Sequence, residues 1–379
     1  MNAPHPILFL TSNLGGGGAE RALVDILNHI DREKFQPHLA LFQKEGPFLQ
    51  DLVEDIPIYE IQPKDYGFLH RNWVRIRAIK KLCDQIKPAV MMGFLWQANI
   101  VSLLADGILG LNCPLILNEQ NTPSQEMKSL WQRFLFWPLA KRTYQRAAEI
   151  VVISAGIRTE IEEMFSITGD HIRVIYNPID SDTIREKASQ PLNLPLHHPC
   201  LISVGRLAPQ KNHSLLLRSF RNVIQNYPAH LYLLGKGPDR AKLEKLASDL
   251  GISASVHFLG FKNNPYALMQ AADILVLSSD YEGFGNVVVE ALAVGTPVIA
   301  TDCPNGPREI LSGGKSGLLV PIGDEVGLTR AIIDLISSPE KRQLLANNGR
   351  KRAEEFDIKK TIHAYESLFT QVIEKRKGI

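Results

Sequence analysis

Short runs of apolar residues alternate with stretches of helical period along most of the chain. The runs that predict strands are ILFLT, HLALF, AVMMGF, PLILNE, EIVVIS and IRVIY in the first half, and CLISVG, HLYLLG, VHFLG, DILVLSS and PVIATD in the second. Continuous apolar runs separated by helices are typical of parallel strands that are buried on both faces. The pattern therefore predicts an α/β protein with two sets of parallel strands.

The stretch 177–200 separates the two sets of strands. It contains four prolines and no sustained apolar period, which is typical of a linker. We expect a doubly wound domain over 1–180, a second over 181–357, and a last helix, 358–379, that crosses back to the first domain. Two such domains that face each other would bind a ligand at the carboxyl ends of their strands.

Composition excludes several classes of protein. The formal net charge is +2, so the overall charge does not favour a nucleic-acid partner. The four cysteines are far apart and include no C-x-x-C pair, which predicts neither a zinc site nor a disulfide framework and fits a reducing cytosol. No apolar run has the length of a signal-peptide core or a membrane span. We expect a protein in the cytoplasm, or one attached to a membrane from its surface.

Four consecutive glycines, Gly15 to Gly18, follow the first predicted strand and precede a helical pattern. The segment lacks the lysine of a phosphate-binding P-loop and matches the dinucleotide fingerprint only in part. Glycines let a backbone approach a ligand closely, and a helix N-terminus offers free N–H groups to an anion. A plain strand-to-helix turn needs only one or two glycines, so we favour ligand contact at Gly16 and Gly17.

Two glutamates in the second half, Glu282 and Glu290, are separated by seven residues within SSDYEGFGNVVVEALAVGTPVIAT. The pattern predicts that Glu282 lies in a loop and Glu290 about one turn into the next helix, so that both face one cleft. N–H groups at the start of that helix, around Gly285, Asn286 and Val287, would attract a phosphate. Taken alone, each glutamate is more simply explained as a solvated surface charge.

Two basic residues, Arg206 and Lys211, follow an earlier strand in the segment SVGRLAPQKN. They are expected at the same sheet edge as the glutamates. An arginine fork and a lysine point charge beside a helix N-terminus suit a diphosphate. Together these residue types predict a diphosphate site, although as isolated surface charges they would indicate nothing.

The segments GGGGAER, GRLAPQKN, LGKGP, EGFGNVVVE, GTPVIAT and SGLLVPIGD occur in an order that resembles the retaining glycosyltransferases of family 4, which have the GT-B fold. The resemblance extends over residues 8–325. It implies two Rossmann-like domains that face each other across a cleft. It also implies a nucleotide sugar bound mainly by the C-terminal domain, an acceptor bound mainly by the N-terminal domain, and no required metal or other cofactor.

The resemblance implies roles for the matching residues. Arg206 and Lys211 would hold the donor diphosphate and stabilise the negative charge that develops on it as the sugar leaves. Glu290 would bind the ribose hydroxyls, while Glu282 would lie beside the donor sugar. Further donor contacts are expected from Gly16, Gly17, Gly205, Gly235, Phe261, Gly283, Phe284, Gly285, Asn286 and Val287. Retention would follow from attack on the same face of the sugar.

The strand end PLILNEQNTPS departs from the many relatives that have a histidine there. Glu119, Gln120 and Asn121 stand at this strand end, which resembles a subset of the family that builds lipid-linked or surface glycans. As a catalytic residue, Glu119 would orient the donor sugar or the acceptor hydroxyl. Alternatively it would cap a helix that begins near Ser124. The sequence leaves both alternatives open.

Residues 125–146, QEMKSLWQRFLFWPLAKRTYQR, combine an apolar helical stripe with aromatic and basic residues beside it. Such stripes usually pack in a core, but aromatic side chains next to cations suit a lipid headgroup interface. We favour contact with an anionic membrane surface over simple packing. The residues expected to make it are Lys128, Arg133, Phe136, Trp137, Lys141 and Arg142.

These features predict a retaining, metal-independent hexosyltransferase at the inner face of the cell membrane. It would move a hexose or N-acetylhexosamine from a nucleotide sugar to a lipid-linked oligosaccharide or surface polysaccharide. UDP is the favoured nucleotide because DCPNGPREIL resembles the donor-sugar loop of such enzymes, and a GDP-mannose-dependent mannosyltransferase is the nearest alternative. A nicotinamide-dependent dehydrogenase is disfavoured because the acidic residue of its fingerprint is missing. A two-domain binding protein would not need this set of charged residues.

Overall fold

Parallel pairing of short buried strands builds two separate sheets. The computed structural model describes residues 3–61, 68–122, 124, 141, 144–167, 169–192 and 194–378. The chain divides into two compact units, of which the first is Met1–Pro178 with Ile358–Ile379 and the second is Ile179–Asp357. The last helix therefore belongs with the first unit.

The described elements follow one another in a regular alternation. Those of the first unit begin with β1 (His5–Thr11), α1 (Gly18–His29), β2 (Phe35–Leu41), β3 (Ile58–Glu60), α2 (Phe68–Ile86), β4 (Val90–Phe94), α3 (Trp96–Leu109), β5 (Leu115–Glu119), β6 (Glu149–Val152), α4 (Ala155–Phe165) and β7 (Ile172–Val174). Those of the second unit are α5 (Ser181–Ala188), β8 (Cys200–Val204), α6 (His213–Ile224), β9 (His230–Leu234), α7 (Arg240–Asp249), β10 (Val256–Gly260), α8 (Tyr266–Ala271), β11 (Ile274–Leu277), α9 (Asn286–Val294), β12 (Val298–Thr301), α10 (Pro307–Ile310), β13 (Leu318–Val320), α11 (Glu325–Ser337) and α12 (Pro339–Ala353). The chain ends with α13 (Ile358–Lys377) in the first unit.

Both sheets have the doubly wound topology. The strand order is β3-β2-β1-β4-β5-β6-β7 in the first unit and β10-β9-β8-β11-β12-β13 in the second, with parallel pairs throughout. The order reverses between β1 and β4 in the first sheet and between β8 and β11 in the second. Ligands of such sheets bind at the carboxyl ends of the strands on either side of this reversal. The predicted α/β class with two Rossmann-like units is confirmed.

Helix α13 completes the core of the first unit. Phe369 packs edge-on against Phe9 of β1, with ring centroids 6.0 Å apart, and against Phe35 of β2 at 5.8 Å. Phe369 has no exposed surface, and burial of a phenylalanine side chain contributes about 1.5 to 3 kcal/mol. The C-terminal helix is therefore an integral part of the first unit.

The predicted linker over 177–200 is partly wrong. Helix α5 occupies residues within it, and the carboxylate of Asp180 caps this helix by accepting from the N–H of Thr183 at 3.0 Å. Only Ser181, Ile184 and Ala188 of α5 are buried, which is too small an apolar face to produce a recognisable period. The helix packs against α8 and α9, so it belongs to the second unit.

The predicted strands are all present, but two further strands have no counterpart in the prediction. These are β3 and β13, which lie at the edges of the first and second sheets. Each contains three residues, and so short a run shows no clear periodicity. The two additional strands extend the sheets without changing the topology around the reversal points.

Candidate functional site

Hydrogen bonds join the loops after β8 and β11, where the order of the second sheet reverses. The backbone N–H of Asp280 donates to the carbonyl of Gln210 at 2.9 Å. The side-chain amide of Asn212 donates to the Asp280 carboxylate at 2.8 Å. The hydroxyl of Ser278 donates to the carbonyl of Lys211 at 2.9 Å. These contacts fix the two loops against each other, as the shared sheet edge predicts.

An ion pair between Lys211 and Glu282 forms the charged centre of these loops. Nζ of Lys211 lies 2.6 Å from Oε1 of Glu282, and the two side chains are 17% and 7% exposed. The hydroxyl of Ser279 donates to the same carboxylate oxygen at 2.5 Å. Because the pair is largely shielded from solvent, salt screens its attraction only weakly. The two predicted residues are thus in direct contact.

Arg206, the second predicted cation, is exposed and follows β8 by two residues. Its side chain has no ion pair or hydrogen bond within the described part of the chain. The preceding residue, Gly205, lies against Lys211, because a Cβ at Gly205 would be 3.3 Å from Cε of that lysine. The guanidinium group of Arg206 is therefore available to an anion at the sheet edge that carries the ion pair.

Two glycines of the predicted donor site have backbone requirements that other residues do not meet. Gly235 has a φ of +139°, and a Cβ there would lie 1.9 Å from the carbonyl oxygen of Gly205. Gly285 has a φ of +100° and is the residue immediately before α9. Both positions favour glycine because of conformation and close backbone packing.

Helix α9 begins where the sequence predicts a phosphate-binding N-terminus. Gly285 has no side chain with which to cap the helix, so the first N–H groups, near Asn286 and Val287, present the positive end of the helix dipole. Glu290 is the fifth residue of α9 and is half-buried. The predicted placement of both glutamates, one in the loop and one a turn into the helix, agrees with the structure.

The two phenylalanines predicted to contact the donor differ in exposure. Phe284 is 2% exposed, and its ring packs edge-on against Phe356 with centroids 5.4 Å apart. Phe261, which follows β10, is 45% exposed. Gly283 is buried beside Phe284. A donor contact from Phe284 would therefore come from its backbone, whereas Phe261 presents its ring to solvent.

Two buried titratable residues near the ion pair have no place in the sequence-based prediction. Burial and the neighbouring Glu282 raise the pKa of the Cys303 thiol to about 12. Burial and the neighbouring Lys211 lower the pKa of His213 to about 4. Both side chains are therefore neutral at pH 7, and they add no charge to the Lys211–Glu282 pair. The sequence indicates the proximity of His213 to the ion pair only in that His213 follows Lys211 by two positions.

A buried carboxylate, Glu119, lies at the end of β5 in the first unit. The side chain is 1% exposed, and Oε1 accepts from the Asn99 amide at 2.7 Å and from the Tyr144 hydroxyl. The N–H of Ser124 donates to Glu160 at 2.6 Å. The helix that Glu119 would cap lies outside the described residues. Both alternatives for Glu119, the cap and the orientation of a sugar or an acceptor hydroxyl, remain predictions.

The four-glycine loop has a partly local explanation. Gly16 has a φ of +94°, and a Cβ there would lie 3.2 Å from Pro47. Gly17 is the residue before α1 and has an extended conformation that any residue adopts. A Cβ at Gly15 or Gly17 would meet only side-chain atoms, of Asn13 and Glu20 respectively. Among Gly15, Gly16 and Gly17, backbone geometry therefore requires glycine only at Gly16, and ligand contact at Gly16 and Gly17 stays a prediction.

The segment predicted to meet a membrane lies mostly outside the described residues. The residues outside the described ranges include Lys128, Arg133, Phe136, Trp137 and Arg142. Lys141 is described, and its ammonium group donates to the hydroxyl of Ser166 at 2.9 Å. Among the helices that the structure describes, none is long and apolar enough to cross a bilayer. Membrane contact by this segment remains a prediction.

Within the described ranges, no group of three or more His, Cys, Asp or Glu side chains is arranged to hold a metal ion. The loops after β8 and β11 instead carry two cations, Arg206 and Lys211, and the carboxylates of Asp280 and Glu282. The two cations are suited to an anionic ligand.

Known proteins match the chain over most of its length. Residues 16–183 match the family described as Glycosyltransferase Family 4, and residues 184–352 match Glycosyl transferases group 1. The chain is 36% identical over 335 residues to the lipopolysaccharide core biosynthesis glycosyltransferase LpsE of Rhizobium meliloti, with 88% of this chain and 90% of that protein covered. It is 30% identical over 354 residues to the N-acetylgalactosamine-N,N'-diacetylbacillosaminyl-diphospho-undecaprenol 4-alpha-N-acetylgalactosaminyltransferase of Campylobacter jejuni, with 91% of this chain and 94% of that protein covered.

The fold also matches a solved structure. The crystal structure of Anabaena HepE in complex with UDP aligns with a TM-score of 0.80 and 24% identity, over 97% of this chain and 100% of that one. At this identity the likeness shows the fold, and it confirms the predicted GT-B class. The family matches favour a glycosyltransferase over the dehydrogenase and the binding protein that the sequence left as alternatives. The chain belongs to glycosyltransferase family 4.

Proposed function

We propose that the protein is a retaining, metal-independent hexosyltransferase that uses a nucleotide sugar, with UDP as the favoured nucleotide. The observation that carries this proposal is the pair between Lys211, in the loop after β8, and Glu282, in the loop that leads into α9, with the exposed Arg206 at the same sheet edge. A lysine, an arginine and a helix N-terminus without a side-chain cap form a suitable environment for a diphosphate. The same groups suit the charge that develops when the bond to the sugar breaks.

Lys211 is held in place before any donor binds. Glu282 engages the ammonium group at 2.6 Å, and an ammonium group has three N–H donors. The remaining donors can bind the leaving diphosphate, and no further reorganisation is needed at the moment of reaction. A preorganised donor of this kind contributes about 3 to 4 kcal/mol to transition-state stabilisation. This charge stabilisation needs no metal.

The nucleotide would be held by α9 and the neighbouring loops. Glu290, one turn into α9, supplies a carboxylate that can accept from the two ribose hydroxyls. Replacement by Gln should raise the donor KM more than it lowers kcat, because this contact acts on ground and transition states alike. UDP is favoured because HepE, which shares the fold, crystallises with UDP and with UDP-glucose. GDP-mannose is the alternative donor.

The acceptor is proposed to be a lipid-linked oligosaccharide or a surface polysaccharide. The Campylobacter jejuni relative is named for a diphospho-undecaprenol acceptor, and the Rhizobium meliloti relative for lipopolysaccharide core biosynthesis. In the first unit, the buried carboxylate of Glu119 would orient the acceptor hydroxyl. The enzyme would work at the inner face of the cell membrane as a peripheral protein.

Donor turnover tests the proposed reaction directly. The purified protein is incubated with UDP-glucose, UDP-galactose, UDP-N-acetylglucosamine, UDP-N-acetylgalactosamine and GDP-mannose, and mass spectrometry follows nucleotide release with and without EDTA. We expect UDP release from one or more UDP-sugars at the same rate in EDTA and, when a glycan acceptor is added, an α-linked product by NMR. GDP release alone would establish the mannosyltransferase, whereas activity that depends on added Mg²⁺ would refute metal independence. No release from any donor would refute the proposal.

Liposome sedimentation tests the membrane proposal. We expect binding to anionic vesicles that weakens as salt rises, because each basic residue near the surface contributes about 1 kcal/mol that ions screen. Replacement of Lys128, Arg133, Lys141 and Arg142 by Gln should release the protein from the vesicles. The matched control replaces four exposed basic residues of the second unit, Arg240, Lys242, Lys245 and Lys351. Equal binding by both variants would indicate that residues 125–146 pack within the protein and do not contact the membrane.

A further inference from the structure

Ser279 holds the carboxylate of the ion pair from within the protein. It is the second residue after β11 and has no exposed surface. Its hydroxyl donates at 2.5 Å to Oε1 of Glu282, which is also the oxygen that accepts from Lys211 at 2.6 Å. One carboxylate oxygen therefore has two donors, one on a long flexible side chain and one on a short buried side chain.

Ser279 is itself fixed to the sheet. Its carbonyl accepts from the hydroxyl of Thr301, the last residue of β12, at 2.5 Å. Thr301 is fully buried as well. A serine hydroxyl has one side-chain torsion to fix, whereas a lysine loses much more rotamer freedom when it is ordered. The position of Glu282 is thus tied to β11 and β12 through Ser279 and not only to the long lysine side chain.

We propose that Ser279 is a positioning residue that sets the orientation of Glu282 and, through it, of the Lys211 ammonium group. The inference rests on the proposed function, in which Lys211 meets the leaving diphosphate. A carboxylate tied to the sheet confines the ammonium group to a narrow range of positions. Electrostatic stabilisation of a transition state depends on such preorganisation. Ser279 therefore supports turnover without contacting the substrate.

Removal of the hydroxyl should change turnover selectively. In Ser279→Ala, we expect kcat for donor turnover to fall about tenfold while the donor KM stays within about twofold, because the loss acts on the developing charge. Ser279→Thr retains the hydroxyl and should restore kcat to within about threefold of wild type. An unchanged kcat in Ser279→Ala would overturn the proposal.

Ser219→Ala is the matched control for general loss of stability. Ser219 is also a fully buried serine of the second unit, and its hydroxyl donates to the carbonyl of Glu325 at 3.2 Å. Thermal unfolding followed by circular dichroism is measured for each variant. We expect both serine-to-alanine variants to be destabilised and only Ser279→Ala to lose kcat. Equal losses of kcat in the two variants would reduce Ser279 to a structural role.

A labelling measurement separates this inference from the proposed function. Acetylation of Lys211 by a succinimidyl ester is followed by peptide mass spectrometry, without substrate. Lys211 is 17% exposed and is held by Glu282. A lysine side chain that is released from such a contact regains rotamer freedom, so we expect Lys211 to be labelled at least about threefold faster in Ser279→Ala and at the wild-type rate in Ser219→Ala. The same rate in all three proteins would overturn the positioning role. Absent donor turnover in wild type would overturn the proposed function, while the labelling result would still decide the role of Ser279.

Discussion

The two units share one topology but carry different chemistry at the same edge of their sheets. In the first unit, the residues that follow β1, β4 and β5 are 12–17, 95 and 120–122, and they include no lysine or arginine. In the second unit, the corresponding loops after β8 and β11 bring Lys211 and Glu282 together. The fold therefore determines where polar groups collect, while the loop sequences determine which ligand they suit.

The partners of the two buried carboxylates illustrate this difference. Glu119 accepts hydrogen bonds from the side chains of Asn99 and Tyr144. Glu282 forms an ion pair with Lys211, which places an ordered cation at the edge of the second sheet. A carboxylate can accept from an acceptor hydroxyl, and an ordered cation suits a phosphate. This contrast supports an acceptor role for the first unit and a donor role for the second.

Removal of the Lys211 cation should give the largest effect. Lys211→Ala should lower kcat for donor turnover by at least about 100-fold, and Arg206→Ala should do the same, because both act on charge that develops in the transition state. Steady-state nucleotide release measures the effect. Lys245→Ala is the control, since Lys245 is 75% exposed and pairs with Asp249 on the surface. Near-wild-type turnover in Lys211→Ala would refute the proposal that the second unit binds the nucleotide-sugar donor.

Glu119→Gln should have a smaller effect that distinguishes the two units. We expect transfer to an acceptor to fall about tenfold while donor hydrolysis stays within about twofold, because the carboxylate acts on the acceptor hydroxyl. Both reactions are measured with the same donor. Glu160→Gln, the same substitution in the carboxylate that accepts from the N–H of Ser124, serves as the control. Equal losses in transfer and hydrolysis would refute the division of roles.

Much of the fold and the charged part of the site could be predicted from the sequence. Buried parallel strands produce continuous apolar runs, and parallel strands place their carboxyl ends at one sheet edge. This geometry is sufficient to predict that Lys211 and Glu282 approach each other although they are 71 positions apart. The start of α9 was predictable because Gly285 marks a local backbone requirement.

The remaining features depend on tertiary contacts that leave no local pattern. Helix α5 buries too few residues to show a period, since its stability depends on packing against α8 and α9. The contact between Ser279 and Glu282 requires a specific loop conformation, and serine is common in loops for other reasons. The bond from Tyr144 to Glu119 joins residues on separate elements. Propensity and spacing do not encode such contacts.

Acidification should destabilise the second unit through His213, which is buried near Lys211. The pKa of His213 is lowered to about 4, whereas an unperturbed histidine titrates near about 6.5. The unfolded chain therefore binds a proton at a higher pH than the folded chain. The stability that this difference contributes is fully present above pH 6.5 and is lost as the pH falls towards 4. Between pH 7.5 and 5.5, the loss should be about 1 kcal/mol.

Tryptophan fluorescence does not report on the second unit, because all four tryptophans lie in the first half of the sequence. They are Trp73, Trp96, Trp131 and Trp137. Hydrogen–deuterium exchange of β8, β11 and β12 at the two pH values, corrected for the intrinsic exchange rate, measures the loss there. The chain has 11 histidines, so the effect of His213 is measured as the difference between wild type and His213→Gln. In that variant the loss should be smaller by about 1 kcal/mol. His363→Gln, in the exposed face of α13, should keep the wild-type dependence. An identical loss in wild type and His213→Gln would show that this buried histidine does not make the second unit acid-sensitive.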